Sequence, residues 1–250
     1  MEPEISVVIL CYKSGRQVYD FFERTMHSLR EAIPLWEIIL VGNYFENTDD
    51  DTPRIVNEIA LKFEQVRAIT LPKEGMMGWD ARTGLNAARG KYICLIDGDD
   101  QMSCEDIIRV YKKIKEEKSD FVQTYRAKRH DGFRRKMISL LYNKLFQILF
   151  PGTAIKDVNS KPKIFTKVAY EKMHLLSNDW FLDAEIIIQA RKLKLKMAEV
   201  PTVFRKCKYR KSFVKSSAIF EFLRNLFLAR IRYFFKEDNG KEHLYNRCHG

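Results

Sequence analysis

Short apolar runs alternate with amphipathic segments over the first hundred residues. The apolar runs predict buried strands at Ile5–Tyr12, Trp36–Gly42, Val66–Pro72 and Lys91–Gly98. The segments between them repeat apolar residues at helical spacing, and they cover Val18–Ala32, Thr52–Phe63 and Trp79–Gly90. Such alternation predicts right-handed crossovers and a doubly wound, mostly parallel sheet with helices on its faces.

The later part of the chain is more basic and less regular. The pattern predicts a helix from Asp106 to Lys118 and a strand from Asp120 to Arg126. We find no internal repeat and no low-complexity linker, so we predict one α/β domain over residues 1–215. A basic amphipathic tail, predicted to be helical, follows over residues 216–250.

The composition and net charge of the chain indicate which classes of partner to expect. A formal charge of +11 and a pI near 9.3 predict a polyanion: nucleic acid, an anionic membrane surface or a phosphorylated substrate. No nucleic-acid-binding module is recognisable, so we expect no nucleic-acid partner. The five scattered cysteines lack a C-x-x-C pair, which argues against a disulfide framework or a zinc site. No run is long enough to cross a membrane, and we expect a cytoplasmic protein, peripheral at the cytoplasmic face of a membrane.

The fourth predicted strand ends in acids, in the sequence "YICLIDGDDQM". Alternate residues of an extended segment point the same way, so Asp97 and Asp99 can converge on one point. Two hard oxygen ligands suit Mg²⁺ or Mn²⁺, which completes its shell with substrate phosphates and water. The other interpretation is that these acids cap the next helix and lie in solvent.

The strand order, "IDGDDQ" and "GLNAARGKY" together resemble the family 2 glycosyltransferases, and within them the polyprenyl-phosphate sugar transferases. "DVNSKPKIFTK" and "NDWFLDAEIIIQARKLKLKMAEVPTVF" resemble later segments of the same family. The resemblance implies a GT-A fold, a GDP- or UDP-sugar donor and a polyprenyl phosphate acceptor. It also implies Mg²⁺ or Mn²⁺ held by Asp97, Asp99 and Gln101 against the donor diphosphate.

The resemblance also assigns the remaining site residues. Arginine suits a phosphate because its planar donors can engage two oxygens at once, although a solvated basic face is the other interpretation of these arginines. The implied catalytic residues are Asp97, Asp99 and Arg126; the nucleotide-binding residues are Tyr12, Asn43, Arg82 and Asp97; the acceptor-phosphate residues are Arg126, Arg135, Ser139, Arg205, Arg210 and Ser212.

Two departures from the family pattern concern the nucleotide. Where family members carry V-D-D-G-S, this chain reads "VGNYFEN", with Gly42 and Asn43 in place of acids. The first strand keeps only Tyr12 of P-T-Y-N-E, and that ring either stacks on the base or is a half-buried aromatic. Because an asparagine amide can both donate and accept hydrogen bonds, we expect base recognition with an altered preference.

Two segments combine large apolar side chains with arginine and lysine: Phe133–Phe150 and Ser216–Lys236. Interfacial helices have this composition, and an enzyme that acts on a lipid phosphate must reach the headgroup layer. Core packing, a homodimer or contact with a membrane-anchor subunit would produce the same stripes.

The acceptor decides the chemistry. A phosphate monoester is largely ionised at neutral pH, so it can attack the anomeric carbon directly and invert it without a general base. A hydroxyl acceptor on a glycan or lipopolysaccharide is the alternative, and it would need a carboxylate base, with Asp179 and Asp183 as candidates. A third hypothesis, from another class, is a non-catalytic nucleotide- or membrane-binding protein.

Overall fold

A computed structural model describes residues 2–152, 155–206 and 223–231. The first half alternates strand and helix, as the apolar pattern predicts. Its elements are β1 (Ile5–Leu10), α1 (Gln17–Ala32), β2 (Trp36–Val41), α2 (Thr52–Ala60), β3 (Val66–Ile69), α3 (Met77–Ala87), β4 (Tyr92–Asp97) and α4 (Glu105–Glu117). The second half contributes β5 (Phe121–Arg129), α5 (Phe133–Leu149), β6 (Lys163–Thr166), α6 (Lys167–Glu171), α7 (Leu182–Lys192) and β7 (Met197–Phe204).

Within the described residues the strands form one seven-stranded sheet in the order β3-β2-β1-β4-β6-β5-β7. The pairs among β1, β2, β3 and β4 are parallel, and Leu10 lies opposite both Val41 and Asp97. The loops after β1, β2 and β4 therefore lie at one edge of the sheet, where doubly wound folds bind ligands. The predicted mostly parallel α/β sheet is confirmed.

The sheet also contains a reversal that the sequence pattern did not predict. β6 runs antiparallel between β4 and β5, with Leu95 opposite Lys163. Because β6 is reversed, its amino end lies at the edge where β4 ends. The segment just before β6 is thereby brought beside the acidic loop that follows β4.

Both faces of the sheet are covered by helices. Successive residues of β1 point to opposite sides: Val7 joins the core under α1, α2 and α4, and Val8 joins the core under α3 and α7. Phe21 and Leu85 are buried on the two sides. Burial of each such side chain stabilises the fold by about 1.5–3 kcal/mol.

The observed element ends differ from the predicted ones by a few residues. β3 ends at Ile69 instead of Pro72, and α3 begins at Met77 instead of Trp79. The start of α3 packs against the backbone of residues 177–179, where the Gly78 nitrogen donates to the Asp179 carbonyl. A Cβ at Gly78 would lie 2.5 Å from that carbonyl oxygen, so this contact requires glycine.

The predicted amphipathic segments are helical where they are described. α5 buries Phe146 in a small core with Ile187 and Leu226, the last of these within the helical residues 223–231. The rest of the predicted tail and its boundary at residue 215 lie outside the described residues. Among the described helices, none has the length and apolar character needed to cross a bilayer.

Candidate active site

The acidic loop after β4 is tied to β1. The Gly98 nitrogen donates to the Leu10 carbonyl at 2.9 Å, and a Cβ on Gly98 would come within 3.0 Å of Ile9. The chain then turns so that Asp99 accepts a hydrogen bond from the Gln101 nitrogen at 3.2 Å. The predicted metal ligands therefore lie within one short segment: Asp97 ends β4, and Asp99 and Gln101 follow it in the loop. The Asp97 side chain is 36% exposed.

Arginines from distant elements neutralise the third acid of the loop. Asp100, which has a φ of 56°, lies 3.1 Å from Arg24 of α1 and 3.7 Å from Arg205, just after β7. Arg205 also binds the loop through its backbone: its nitrogen donates to the Gln101 carbonyl, and its carbonyl accepts from Gln101 Nε2 at 3.1 Å. Arg205 was predicted as an acceptor-phosphate residue, and its contact with Asp100 was not predicted. Arg24 was not predicted, because no local pattern marks it as a site residue.

The oxygen atoms of the acidic loop suit a divalent cation that is also coordinated by a substrate. Asp97 and Asp99 supply carboxylate oxygens, and no donor among the described residues reaches Oε1 of Gln101. No three His, Cys, Asp or Glu side chains in the described parts of the chain form a preformed metal cluster. Mg²⁺ in phosphate-transfer sites typically takes one or two carboxylates and completes its shell with phosphates and water.

A buried lysine contacts the first acid of the loop. Lys161, with a side chain 5% exposed, places its Nζ 3.3 Å from Asp97 Oδ2 and 3.1 Å from Asp183 Oδ2. Lys163 lies 3.4 Å from the other oxygen of Asp183. Burial alone would lower the pKa of Lys161, but the two carboxylates outweigh it and raise that pKa.

Asp183 is held as a carboxylate by the same pair of lysines. Burial favours its neutral form, yet the charges of Lys161 and Lys163 keep the pKa of Asp183 below its ordinary value. The segment "DVNSKPKIFTK" served the sequence analysis only as part of the family resemblance. The signal that was missed is a pair of lysines flanking Pro162, directly before the apolar residues Ile164 and Phe165.

The predicted acceptor-phosphate residues Arg126 and Ser139 lie together. Arg126 donates to both carboxylate oxygens of Asp157, from Nε at 2.5 Å and from Nη2 at 2.6 Å, and Nη2 lies 3.3 Å from Ser139 Oγ. Burial opposes the charge on Asp157, but Arg126 more than compensates and lowers the pKa of Asp157. The predicted partner Arg135 is exposed one turn before Ser139 on α5.

The predicted nucleotide-binding residues occupy the loops after β1 and β2. The Tyr12 ring meets Phe45 edge-on at 6.0 Å, and the Lys73 ammonium lies 4.4 Å from its centroid. Asn43 is fully buried: its amide donates to Asp80 and accepts from the Leu71 nitrogen at 2.9 Å. Asn43 thus supports this edge from within the protein.

The pair behind Tyr12 was not predicted. Lys73 forms a buried ion pair with Asp80, and burial lowers the pKa of Lys73 and raises that of Asp80. Arg82, a predicted nucleotide ligand, donates to Asn178 and to the Leu176 carbonyl. It therefore contacts the segment before α7. Arg210 and Ser212 lie outside the described residues, so their predicted roles stay predictions.

Asp179, the other candidate general base, also accepts hydrogen bonds from the protein. Asp179 accepts from the Phe181 nitrogen at 2.8 Å and from Asn225 Nδ2 at 2.6 Å. Asp179 and Asp183 therefore both have hydrogen-bond donors or cations on their two oxygens.

Comparison with known sequences gives a family and named relatives. The profile of the family described as "Glycosyl transferase family 2" matches residues 6–176. A dolichyl-phosphate beta-glucosyltransferase of Saccharomyces cerevisiae is 26% identical over 218 residues, which is 79% of this chain and 65% of that protein. An undecaprenyl-phosphate 4-deoxy-4-formamido-L-arabinose transferase of Proteus mirabilis is 29% identical over 143 residues, 57% of this chain and 43% of that protein.

The chain spans less than two thirds of the length of the curated relatives it matches, 61% in a dolichyl-phosphate beta-glucosyltransferase of Trichomonas vaginalis. Among solved structures it resembles glucosyl-3-phosphoglycerate synthase of Mycobacterium tuberculosis, crystallised with Mn²⁺, uridine diphosphate and glucosyl-3-phosphoglycerate. The TM-score is 0.68 at 15% identity, over 92% of this chain and 80% of that one. S. aureus TarS 1–349, crystallised with UDP-GlcNAc, gives 0.56 at 15%, over 89% and 65%. The expected GT-A-like fold is confirmed.

Proposed function

Because the chain belongs to glycosyl transferase family 2, we propose that it transfers a sugar from a nucleotide-sugar donor to a polyprenyl phosphate such as dolichyl or undecaprenyl phosphate. Relatives named for dolichyl-phosphate and undecaprenyl-phosphate transfer support this acceptor. A UDP-sugar is the first donor to test, since the M. tuberculosis synthase and TarS were crystallised with UDP or UDP-GlcNAc.

The observation that favours a phosphate acceptor over a hydroxyl is the pairing of Asp183 with two buried lysines. A general base must accept a proton near neutral pH, whereas Lys161 and Lys163 stabilise the ionised form of Asp183 and lower its pKa. Asp179 has hydrogen bonds on both oxygens. An ionised phosphate attacks the anomeric carbon without a base, and direct attack inverts the configuration.

Different side chains would bind the metal, the nucleotide base and the acceptor phosphate during that attack. Asp97, Asp99 and Gln101 would hold Mg²⁺ or Mn²⁺, which would offset the charge of the departing nucleoside diphosphate. Tyr12 would contact the nucleotide base through its aromatic ring. Arg126, oriented by Asp157, would bind the acceptor phosphate together with Ser139.

The exposed face of α5 supports approach of a lipid acceptor. Its apolar side chains Phe133, Met137, Leu141 and Ile148 are all exposed and recur along one side of the helix. Exposed Lys144 lies in the same row and would meet anionic headgroups. We propose that this face, followed by the basic tail over residues 216–250, rests on the cytoplasmic surface of a membrane.

The proposal is tested by incubating the protein with Mn²⁺ or Mg²⁺, a panel of UDP- and GDP-sugars, and either undecaprenyl or dolichyl phosphate. We expect metal-dependent transfer to the lipid, its loss in Asp99→Ala, and its retention in Glu116→Ala, which removes an exposed acid from α4. Transfer only to glycan hydroxyls would overturn the acceptor assignment. If no nucleotide sugar shifts the melting temperature with metal present, both the lipid-phosphate and the hydroxyl-acceptor transferase hypotheses fail.

A further inference from the structure

Basic side chains contact the acidic loop before any metal is considered. Two of its three acids have such partners: Lys161 contacts Asp97, while Arg24 and Arg205 approach Asp100. A divalent ion that enters alone would therefore add two positive charges beside these cations. One that arrives with a diphosphate brings its own counter-charge.

Lys161 is the member of this set that competes most directly with a metal. Its ammonium contacts Oδ2 of Asp97, the first of the proposed metal ligands, and its side chain is almost fully buried. Asp183 accepts from the same ammonium at 3.1 Å. A carboxylate that is not itself a proposed metal ligand thus anchors Lys161 beside the loop.

We propose that Lys161 is a resident cation that keeps the affinity of this loop for Mg²⁺ or Mn²⁺ low until a nucleoside diphosphate is present. The inference rests on the proposed function, because it takes Asp97 and Asp99 as metal ligands. Lys161 is a positioning residue: it holds one oxygen of Asp97 and leaves the other for the ion. Metal and nucleotide then bind with positive coupling, and each raises the affinity for the other by the same factor.

The magnitude follows from the contact with Asp97. Removal of a unit positive charge in contact with a metal-ligating carboxylate strengthens binding of a divalent ion by at least about tenfold at the effective dielectric of a partly exposed site. Lys161→Met keeps the length and the apolar stem of the side chain and removes only the ammonium. Lys161→Arg keeps the charge.

The experiment measures the dissociation constant of Mn²⁺ by electron paramagnetic resonance, with and without saturating UDP or GDP. A protein-free titration corrects for the Mn²⁺ that the nucleotide binds in solution. In the wild type we expect weak binding of Mn²⁺ alone and binding at least about tenfold tighter with nucleotide. In Lys161→Met, Mn²⁺ alone should bind about tenfold tighter than in the wild type, and the coupling to nucleotide should shrink.

Two matched variants make the result specific. Lys91→Met removes the same charge at the opposite end of β4, where Lys91 contacts Glu4, and should leave Mn²⁺ binding unchanged. Lys161→Arg should retain weak binding, because it keeps the charge. If Lys161→Met fails to fold, Lys161→Gln, which also removes the charge, should show the same tighter binding of Mn²⁺ alone. Equal Mn²⁺ affinity in Lys161→Met and the wild type would overturn the role of Lys161 alone. The absence of Mn²⁺ binding in the wild type, even with nucleotide, would instead overturn the metal site of the proposed function.

Discussion

Asp157→Asn should destabilise the fold strongly, because Asp157 neutralises a buried arginine. Arg126 forms two short hydrogen bonds to the Asp157 carboxylate, and the two side chains are only 10% and 8% exposed. The amide keeps the shape but loses the charge and one acceptor oxygen. Breaking a buried pair in this way costs about 3–5 kcal/mol. Each kcal/mol corresponds to about 2–4 °C for a domain of this size, so Tm should fall by about 6–20 °C.

Thermal and urea unfolding followed by circular dichroism measure this loss. The matched control is Glu58→Gln, which breaks the Arg54–Glu58 pair at the same 2.5 Å separation but with side chains 59% and 41% exposed. Exposed pairs contribute about 1 kcal/mol or less. Equal effects of Asp157→Asn and Glu58→Gln would refute the argument, because burial would then have no part in the stability of the Arg126 pair.

The same pair predicts a pH dependence. Burial raises the pKa of Asp157, but Arg126 outweighs it, so the folded protein keeps this carboxylate ionised to lower pH than the unfolded chain does. The stabilisation is therefore complete above the unfolded pKa of about 3.9 and is lost as the pH falls through the lower folded pKa. The difference in Tm between the wild type and Asp157→Asn should narrow below about pH 4. A difference that stays constant as the pH falls further would contradict this.

Three further predictions concern the nucleotide edge, the core and the membrane face. Tyr12→Ala should weaken UDP binding by about tenfold or more, as loss of a stacking partner does, while Tyr12→Phe should bind UDP as the wild type does. Equal affinities of Tyr12→Ala and the wild type for UDP, measured by calorimetry, would exclude stacking. Lys163→Met should cost at least about 3 kcal/mol in urea unfolding, because Lys163 donates to the carbonyls of Val158 and Ser160 from a fully buried position; a neutral effect would contradict that. Leu141→Glu should weaken sedimentation with anionic vesicles at unchanged Tm, and unaltered sedimentation would remove α5 from the membrane contact.

The alternation of strands and helices and the mostly parallel sheet could be predicted, because they follow from local periodicity and from the handedness of crossovers. Asp97 lies opposite Leu10 in the parallel register, as expected for chains that leave one edge of a sheet together. The position of Lys161 could not be predicted in that way. It depends on the antiparallel insertion of β6 next to β4, and a four-residue strand carries no pattern that fixes its direction.

The partners of buried charges were equally hidden from the sequence. Arg126 and Ser139 could be placed in one site through the family resemblance, but nothing local indicated that Asp157 would take both oxygens to the guanidinium. Asn43 could be read as a nucleotide ligand from its place after β2, whereas its burial against Asp80 depends on how α3 packs. Side-chain pairing of this kind follows from tertiary packing, which spacing along the chain does not encode.

The acidic end of β4 and the two lysines before β6 bear on the acceptor as well as on the metal. A site that needed Asp183 as a base would gain from burying that carboxylate without cationic partners, because burial alone raises a carboxyl pKa toward neutrality. Here Asp183 is buried and bridged to Asp97 through Lys161, so its negative charge is used to hold a cation beside the acidic loop. The same arrangement therefore disfavours deprotonation of a hydroxyl by Asp183. An already ionised phosphate acceptor needs no such base.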